Sequence, residues 1–329
     1  MNPFAQSGRA RNEASARILA ATLTLLSREQ RELPPPHSLW TPHLDSAQVR
    51  EASMLVAEGK AQVIWADESH PARGLTLYRE RLLETELLGY GSAMLQGPFL
   101  VDPEADGRQR KTRDMAAKAL SAAAVKGARF LSVKTYHDPA VLRGFSDAGF
   151  RLAEVISCLE GPLGDPAAEP ERSSQRSGGI RIKGTEDADP AEILDALGDL
   201  FYDGHHLHGP FLPEGFSGRL WRMVAARDLA SPACSSVMAV DTRLNVPVGL
   251  AVGAVSAGRA FLTIFHVAER RRGQGLGRLL LSGLSGAMWE RGARTLSVET
   301  ASWNLPALSL YLNAGLRPRA PLAALHHAP

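Results

Sequence analysis

The chain has 329 residues, of which 44% are hydrophobic and 22% are charged, and its formal net charge is only +2. This length suits two domains of ordinary size, and the composition is that of a globular protein. A charge so close to neutral does not support general nucleic-acid binding, so any affinity for anions must be local. Cys158 and Cys234 are too far apart in sequence to indicate a disulfide framework or a metal knuckle, and no metal is predicted.

Residues 1–36 are predicted to form an N-terminal helical extension. Their longest apolar run, residues 18–26, is far shorter than the roughly 20 residues that a helix needs to cross a bilayer. Glu13 interrupts the basic flank before this run, and residues 27–30 do not resemble a signal-peptide cleavage site. We therefore expect an amphipathic helix that ends at the prolines of residues 34–36, in a cytoplasmic protein without membrane contacts.

Two domains, residues 37–161 and 179–329, are predicted on either side of a linker at 162–178. The linker contains three prolines and several small polar residues, and it shows no apolar periodicity. In the second domain the apolar spacing predicts helices at 191–202, 218–228, 277–291 and 305–314, and strands at 236–240, 248–255, 259–267, 295–300 and 322–326. This alternation predicts an α/β fold with a mixed sheet.

Three glycines, Gly273, Gly275 and Gly277, follow the strand at 259–267 and open the next helix. A glycine-rich turn at a helix start offers free backbone N–H groups and the positive end of the helix dipole, a combination that binds phosphate. The arginines at 270–272 add positive charge in a geometry suited to phosphate oxygens. The spacing fits neither a mononucleotide P-loop nor a dinucleotide-binding turn.

Two motifs in this region resemble those of the GNAT acetyltransferase superfamily. Arg-x-x-Gly-x-Gly at 272–277 resembles the superfamily's acetyl-CoA pyrophosphate loop. Asn-x-x-Ala-x-x-x-Tyr-x-x-x-Gly-Leu at 304–316 resembles a second motif of the superfamily and differs only by ending in Leu rather than Phe. The resemblance covers about residues 179–329, and it implies N-acetyl transfer with acetyl-CoA as co-substrate.

The resemblance also implies roles for single residues. Tyr311 would protonate the departing CoA thiolate, Asn304 would contact the pantetheine arm, and Val267 would border the thioester. The diphosphate would be held by backbone N–H groups of the loop, which comprises Arg272, Gly273, Gln274, Gly275, Leu276 and Gly277. A phenol with a pKa near 10 can donate a proton as thiolate charge develops. The alternative for Tyr311 is a tyrosine that only packs its ring.

The attacking amine must lose a proton, but the strand at 259–267 contains no Asp or Glu. His266 on this strand and His208 in the preceding loop are candidate bases, and deprotonation through water is an equal alternative. His206 and His208, together with Arg219, are predicted to contact an anionic or polar substrate, against the alternative of a solvated loop. Zinc binding by the two loop histidines is disfavoured, because further ligands at the usual spacing are missing.

An internal repeat indicates that the first domain is a degenerate copy of the second. Residues 127–135 and 292–300 are identical at seven of nine positions. In the alignment Phe145, which has no hydroxyl, falls opposite Tyr311. The residues before the matching helix of the first domain, 102–111, contain a single glycine. The sequence therefore predicts two tandem GNAT-type folds, of which the first has kept the fold and lost the chemistry.

Tandem copies in this order, with the degenerate copy first, resemble dTDP-fucosamine acetyltransferases, which acetylate the 4-amino group of a nucleotide-linked deoxy sugar. Residues 83–89 and 206–219 resemble segments of that family, although leucines replace its aromatic residues at 83–89. A mycothiol-synthase-like enzyme, an antibiotic or peptide acetyltransferase, and a non-catalytic acetyl-CoA-binding module remain open. The predicted partner is a small-molecule amine rather than nucleic acid, and the patterns do not encode the oligomeric state.

Overall fold

The computed structural model describes residues 53–54, 56–59, 61–66, 74–100, 104–164, 179–198, 211–256 and 258–328. The predicted N-terminal extension, most of the predicted linker, and the candidate site residues His206 and His208 lie outside these ranges.

The chain folds into two compact units that are not contiguous in sequence. The first unit comprises Met1–Val155, His208–Pro213 and Ala320–Pro329, and the second comprises Ile156–Leu207 and Glu214–Arg319. The packing thus differs from a linear division at residues 162–178, because two short segments that follow the linker belong to the first unit.

The first unit is a mixed sheet with three described helices. Its elements are β1 (Gln62–Ala66), β2 (Gly74–Glu80), α1 (Leu82–Leu88), β3 (Gly91–Leu100), α2 (Ala105–Val125), β4 (Ala128–Tyr136), α3 (Pro139–Asp147), the start of β5 (Arg151–Pro162) and, from the end of the chain, β12 (Leu322–His327). Neighbouring strands follow the order β1-β2-β3-β4-β12, and β3 and β4 run parallel. β12 is antiparallel to β4, with Leu322 opposite Tyr136.

The second unit repeats this plan. Its elements are β6 (Ile180–Gly184), α4 (Pro190–Leu197), α5 (Phe216–Leu229), β7 (Cys234–Asp241), β8 (Val246–Ser256), β9 (Arg259–Val267), α6 (Leu276–Glu290), β10 (Thr295–Ala301), α7 (Leu305–Asn313) and β11 (Arg317–Pro318). The sheet order is β6-β7-β8-β9-β10, followed by the second half of β5, and β9 and β10 are parallel. The elements predicted for 179–329 are present within a few residues, apart from residues 199–202, which are not described, and the last strand, which joins the first unit.

Two hydrophobic clusters cover opposite faces of the sheet in the second unit. One is built on α6, with Leu280 and Leu284, and the other is built on α4 and α5, with Ile193 and Ala225. Residues of β9 contribute to both clusters. Ile264 belongs to the α4–α5 cluster, whereas the next residue, Phe265, packs on the α6 cluster. A ligand between β9 and β10 would therefore have helices on both sides.

Candidate active site

The two parallel strands of the second unit separate after a short pairing. β9 and β10 are paired at three positions, from Arg259–Thr295 to Phe261–Ser297. The rest of β9, residues 262–267, has no partner on β10, and a gap opens between the strands. Backbone groups along such an unpaired edge are free to bond a ligand.

A bulge in β9 lies where the strands separate. The register with β8 passes from Val252–Ile264 to Gly253–Leu262, which leaves Thr263 without an opposite residue. The Thr263 hydroxyl donates to the Val252 carbonyl at 3.2 Å. Because a bulge bends its strand and increases its twist, it turns the end of β9 away from the straight path beside β10. The apolar pattern of β9 gave no signal for this bulge.

The glycine-rich loop after β9 is tightly turned and open to solvent. Gly273 and Gly275 have φ angles of 74° and 80°, a left-handed conformation that glycine adopts without strain. A Cβ atom at either position would meet no atom within 4 Å. Gly277 has a different role, because a Cβ there would lie 3.2 Å from the Leu310 side chain.

This loop presents five consecutive backbone N–H groups, from Gly273 to Gly277, that have no acceptor among the described residues. α6 begins without a side-chain cap and has no acidic residue in its first turn. An anion such as a diphosphate can therefore bind these N–H groups at the positive end of the helix dipole. The N–H of Arg272, which the sequence analysis included in this set, donates instead to the Glu269 carbonyl at 3.1 Å.

Side chains of the loop fold back on the loop and do not fill it. Arg272 Nε donates to the Val267 carbonyl at 3.1 Å, and the Gln274 amide donates to the Arg270 carbonyl at 3.1 Å. The Leu276 side chain is buried in the α6 cluster. These contacts shape the turn and leave its N–H groups exposed.

One of the three loop arginines forms an ion pair with a carboxylate of the sheet. Arg271 forms an ion pair with Asp241 at the end of β7. The Asp241 carboxylate also accepts the N–H groups of Arg243 and Leu244, and these hydrogen bonds, with the nearby arginines, hold its pKa below the usual value. Arg271 therefore fixes the loop to the sheet, and the expected positive charge at the anion comes from the other two arginines.

Tyr311 lies beside the unpaired part of β9. Its ring packs edge-on against Phe265, with 6.1 Å between the ring centroids, and the residue is only 3% exposed. Burial raises the pKa of the Tyr311 phenol, so the group is protonated at neutral pH and can act as a proton donor. The sequence motif did not identify Phe265, and nothing in the sequence distinguished it from Phe261 on the same strand.

Asn304 is engaged with its own helix. Its side-chain oxygen accepts the N–H of Ala307 at 3.3 Å as the N-cap of α7, and its amide nitrogen lies 3.4 Å from the Thr300 hydroxyl. Capping by Asn is favourable in any helix, so this geometry accounts for the residue without a ligand. A contact between Asn304 and the pantetheine arm stays a prediction.

His266 is buried on the face of β9 opposite Phe265. Burial, with a contribution from the charge of Arg272, lowers the pKa of His266 to about 4. The imidazole is therefore neutral at pH 7 and can accept a proton, although general bases work best when their pKa is near the operating pH. His266 precedes Val267, the last residue of β9, so both predicted residues lie at the open end of the gap.

Arg219 lies in the first turn of α5, on the face of the sheet opposite α6. Of the predicted substrate-binding residues it is the one that the structure describes. Among the described residues, no group of three or more His, Cys, Asp or Glu side chains could hold a metal ion. No helix in the described ranges combines the length and apolar character needed to cross a membrane.

Diverging parallel strands, an anion-binding helix start and a buried tyrosine together define a fold of the acetyltransferase class. Residues 201–316 match the sequence model of the Acetyltransferase (GNAT) family. The match includes the glycine-rich loop and Tyr311, and it indicates acyl-CoA-dependent acetyl transfer. No curated protein sequence matches the chain.

Solved structures extend the likeness over most of the chain. A tandem GNAT protein from the clavulanic acid biosynthesis pathway is 15% identical, with a TM-score of 0.57 and 95% of each chain covered. A GCN5-related N-acetyltransferase from Kribbella flavida is 16% identical, with a TM-score of 0.54, and covers 86% of this chain and 95% of its own. One from Sphaerobacter thermophilus is 17% identical, with a TM-score of 0.53 and coverage of 77% and 76%. The predicted fold class, a mixed α/β architecture with GNAT folds in tandem, is confirmed.

Proposed function

We propose that the second unit transfers the acetyl group of acetyl-CoA to a primary amine of a small molecule. The observation that carries this proposal is one arrangement: five free N–H groups at a helix start, a gap between β9 and β10, and a protonated Tyr311 beside that gap. The N–H groups at the helix start can bind the diphosphate of the coenzyme. The gap can hold its extended arm and thioester, and the Tyr311 phenol can protonate the leaving thiolate.

The reaction follows from this placement. The amine nitrogen attacks the thioester carbonyl, so that the C–N bond forms and the C–S bond breaks. The departing thiolate takes the proton of the Tyr311 hydroxyl, and solvent returns a proton to the phenolate. The ammonium proton passes to His266, directly or through a water molecule. A diphosphate beside Arg272 offsets the charge that lowers the pKa of His266, which makes the imidazole a better base when the coenzyme is bound.

The acceptor amine enters from the face of the sheet that α5 covers, opposite the coenzyme loop. His206, His208 and Arg219 remain the proposed contacts with this amine. Nucleotide-linked amino sugars are the first substrate class to test, because of the tandem resemblance to dTDP-fucosamine acetyltransferases. A mycothiol precursor, antibiotic amines and peptide amines are the alternatives. Since acetyl-CoA is an intracellular coenzyme, we place this activity in the cytoplasm.

The proposal is tested by free-thiol release when the protein meets acetyl-CoA and a panel of these amines. Tyr311→Phe removes the proton donor and leaves the ring packed against Phe265. We expect kcat to fall by one to three orders of magnitude, about 1.4–4 kcal/mol of barrier, with little change in coenzyme Kd.

Tyr78→Phe is the matched control, because Tyr78 is also a buried tyrosine but lies in the first unit. It should leave kcat unchanged. An unchanged kcat in Tyr311→Phe rejects this residue as the acid. Tight coenzyme binding without thiol release for any amine favours a non-catalytic acetyl-CoA-binding module instead.

A further inference from the structure

A carboxylate lies on β10, the strand that borders the gap opposite β9. β9 has no Asp or Glu, but Glu299 lies two residues beyond Ser297, the last residue of β10 that pairs with β9. At Glu299 the strand is still paired, with Cys158 of β5. β10 therefore stays in the sheet where β9 departs from it, and Glu299 lies on the border of the gap.

The Glu299 side chain lies on the face of the sheet opposite α6. Leu296 and Val298 belong to the α6 cluster, and β10 pairs with β5 without a bulge. Because side chains alternate between the two faces of a regular strand, Glu299 is directed to the other face, where it is exposed. His266, the proposed proton acceptor, is also on that face. The carboxylate is therefore on the side from which the acceptor amine is proposed to approach.

An aromatic ring on β9 lies beside this carboxylate. Phe261 is paired with Ser297, so Glu299 is two residues, or about 7 Å, further along the parallel strands. The residues on either side of Phe261 pack in or against the α6 cluster, which directs the ring to the same face as Glu299. Phe261 is 38% exposed, and the α4–α5 cluster has no described member on β10 or β5. The ring and the carboxylate are thus both accessible to a ligand on this face.

Positive charge lies on the other side of the ring. Arg259 precedes Phe261 on β9, and its guanidinium carbon lies 5.9 Å from the centre of the ring. Arg259 forms an ion pair with Glu160 of β5, which also pairs with Arg319, so this group has two guanidiniums for one carboxylate. A cation that binds against the ring is therefore favoured on the side of Glu299 and disfavoured on the side of Arg259.

We propose that Glu299 and Phe261 bind the acceptor, so that the substrate class is primary amines on a ring, with no anionic group next to the reacting nitrogen. The ammonium of the incoming acceptor donates hydrogen bonds to the Glu299 carboxylate, and its ring packs on Phe261. An anionic group beside the nitrogen is repelled by the same carboxylate. This inference rests on the proposed acetyl transfer, but the ammonium site itself can be tested without turnover.

The binding test uses benzylamine and benzyl alcohol as probes on the full chain saturated with CoA, which has no acetyl group to transfer. The probes share a ring and differ in charge, because the amine is an ammonium ion at pH 7. By calorimetry the wild type should bind benzylamine about 10-fold more tightly than benzyl alcohol. Glu299→Gln should remove this difference. Glu290→Gln, the matched control on an exposed residue of α6, should keep it. Equal binding of the probes by the wild type, or a difference that survives Glu299→Gln, overturns the site.

Phe261→Leu tests the ring. Leucine keeps an apolar side chain at this position but cannot stack, so the affinity for both probes should fall by about 2- to 10-fold. The coenzyme Kd should stay the same, because Phe261 lies on the face opposite α6. Unchanged affinity for both probes overturns the role of Phe261.

The turnover test compares benzylamine with phenylglycine, which adds a carboxylate next to the nitrogen, and cyclohexylamine with hexylamine, which lacks the ring. The wild type should prefer the first member of each pair by at least about 10-fold in kcat/KM. Glu299→Gln should raise KM for benzylamine and remove the discrimination against phenylglycine. Equal use of benzylamine and phenylglycine overturns the inference. Benzylamine binding that depends on Glu299, without acetylation of any amine, contradicts the proposed acetyl transfer and leaves the ammonium site standing.

Discussion

The two units share one fold but differ in whether their parallel strands stay together. In the second unit the pairing of β9 with β10 ends after three positions. In the first unit β3 and β4 pair at six positions, from Gly91–Ala128 to Gln96–Lys134. The repeat aligns Ser132 with Ser297, so the first unit continues its ladder past the point where the second opens. The unpaired stretch is therefore shorter in the first unit, where it comprises residues 97–100 of β3 against residues 262–267 of β9.

The helices that follow these strands also differ between the two units, because those of the first unit are joined by an ion pair. In the first unit Arg108, in the first turn of α2, pairs with Asp138, the N-cap of α3, at 2.9 Å. Gly144 lets the two helices approach closely, because a Cβ there would lie 2.5 Å from the Gln109 carbonyl oxygen. A guanidinium and its carboxylate thus join helices whose counterparts in the second unit present free N–H groups and a tyrosine.

This difference shows which features the fold requires and which the ligand requires. Paired strands and bridged helices bond their polar groups to one another. Diverging strands and an uncapped helix start instead leave backbone polar groups free to bond a ligand. If the first unit binds no coenzyme, as its sequence predicts, its additional pairs stabilise it without a cost to function. Strand separation and an open helix start are therefore signs of function, while the common α/β framework is not.

The largest expected effect comes from closing the helix start of the second unit. Gly275→Asp places a side chain at positive φ and a carboxylate in front of the free N–H groups. We expect coenzyme Kd to rise roughly 100-fold by calorimetry. The wild type should bind about one coenzyme per chain, because the matching helix of the first unit, α2, carries Asp106 in its first turn. Gly292→Asp, at φ 87° with open space around it, is the control for backbone strain and should bind normally. Two coenzymes per chain, or tight binding left in Gly275→Asp, contradicts the comparison.

A second test separates the Arg108–Asp138 ion pair of the first unit from ordinary surface pairs. Asp138→Asn keeps an N-cap but removes the carboxylate that pairs with the Arg108 guanidinium, which is 11% exposed. The first unit should lose about 1.5–3 kcal/mol of unfolding free energy in urea titrations, the contribution of a hydrogen bond to a charged group. Arg319→Gln, which breaks a pair with Glu160 whose arginine is 64% exposed, should cost less than about 1 kcal/mol. Equal losses mean that this ion pair stabilises the first unit no more than a surface pair does.

The smallest effect is a sensitivity to acid that each unit owes to one histidine. Burial lowers the pKa of His326 in the first unit and of His266 in the second to about 4. The unfolded chain has the ordinary value near 6.5 and binds protons that the folded units do not, so stability is full above pH 6.5 and falls toward pH 4. Each histidine should cost about 1 kcal/mol at pH 5.5 relative to pH 7.5.

His326→Gln should remove this pH dependence from the first unit, and His266→Gln should remove it from the second. Urea titrations at the two pH values measure both. Loss of stability at pH 5.5 that neither substitution reduces assigns the effect to other groups.

Local patterns predicted most of the second unit. The strand at 259–267, the glycine loop and the two following helices have the expected bounds, because alternation, left-handed glycines and caps act over a few residues. Asn304 marks the limit of such patterns, since a motif position and an N-cap look alike in sequence. Asp138, the matching residue of the first unit, also caps a helix, with the N–H groups of Ala140 and Val141 as donors.

Contacts between distant residues could not be predicted. The Arg108–Asp138 pair and the engagement of Arg271 by Asp241 each join residues about 30 apart, and no short-range pattern marks them. The separation of β9 from β10 likewise could not be predicted, because their pairing stops although both segments remain β-strands.

The last strand has a consequence for how the protein is made. β12 pairs with β4 from Leu322 to His327 and supplies the buried His326 to a sheet whose other strands lie before residue 163. A ribosome releases those residues only after it has synthesised the whole second unit. The N-terminal sheet therefore lacks β12, and one edge of β4 lacks that partner, until the second unit has been synthesised.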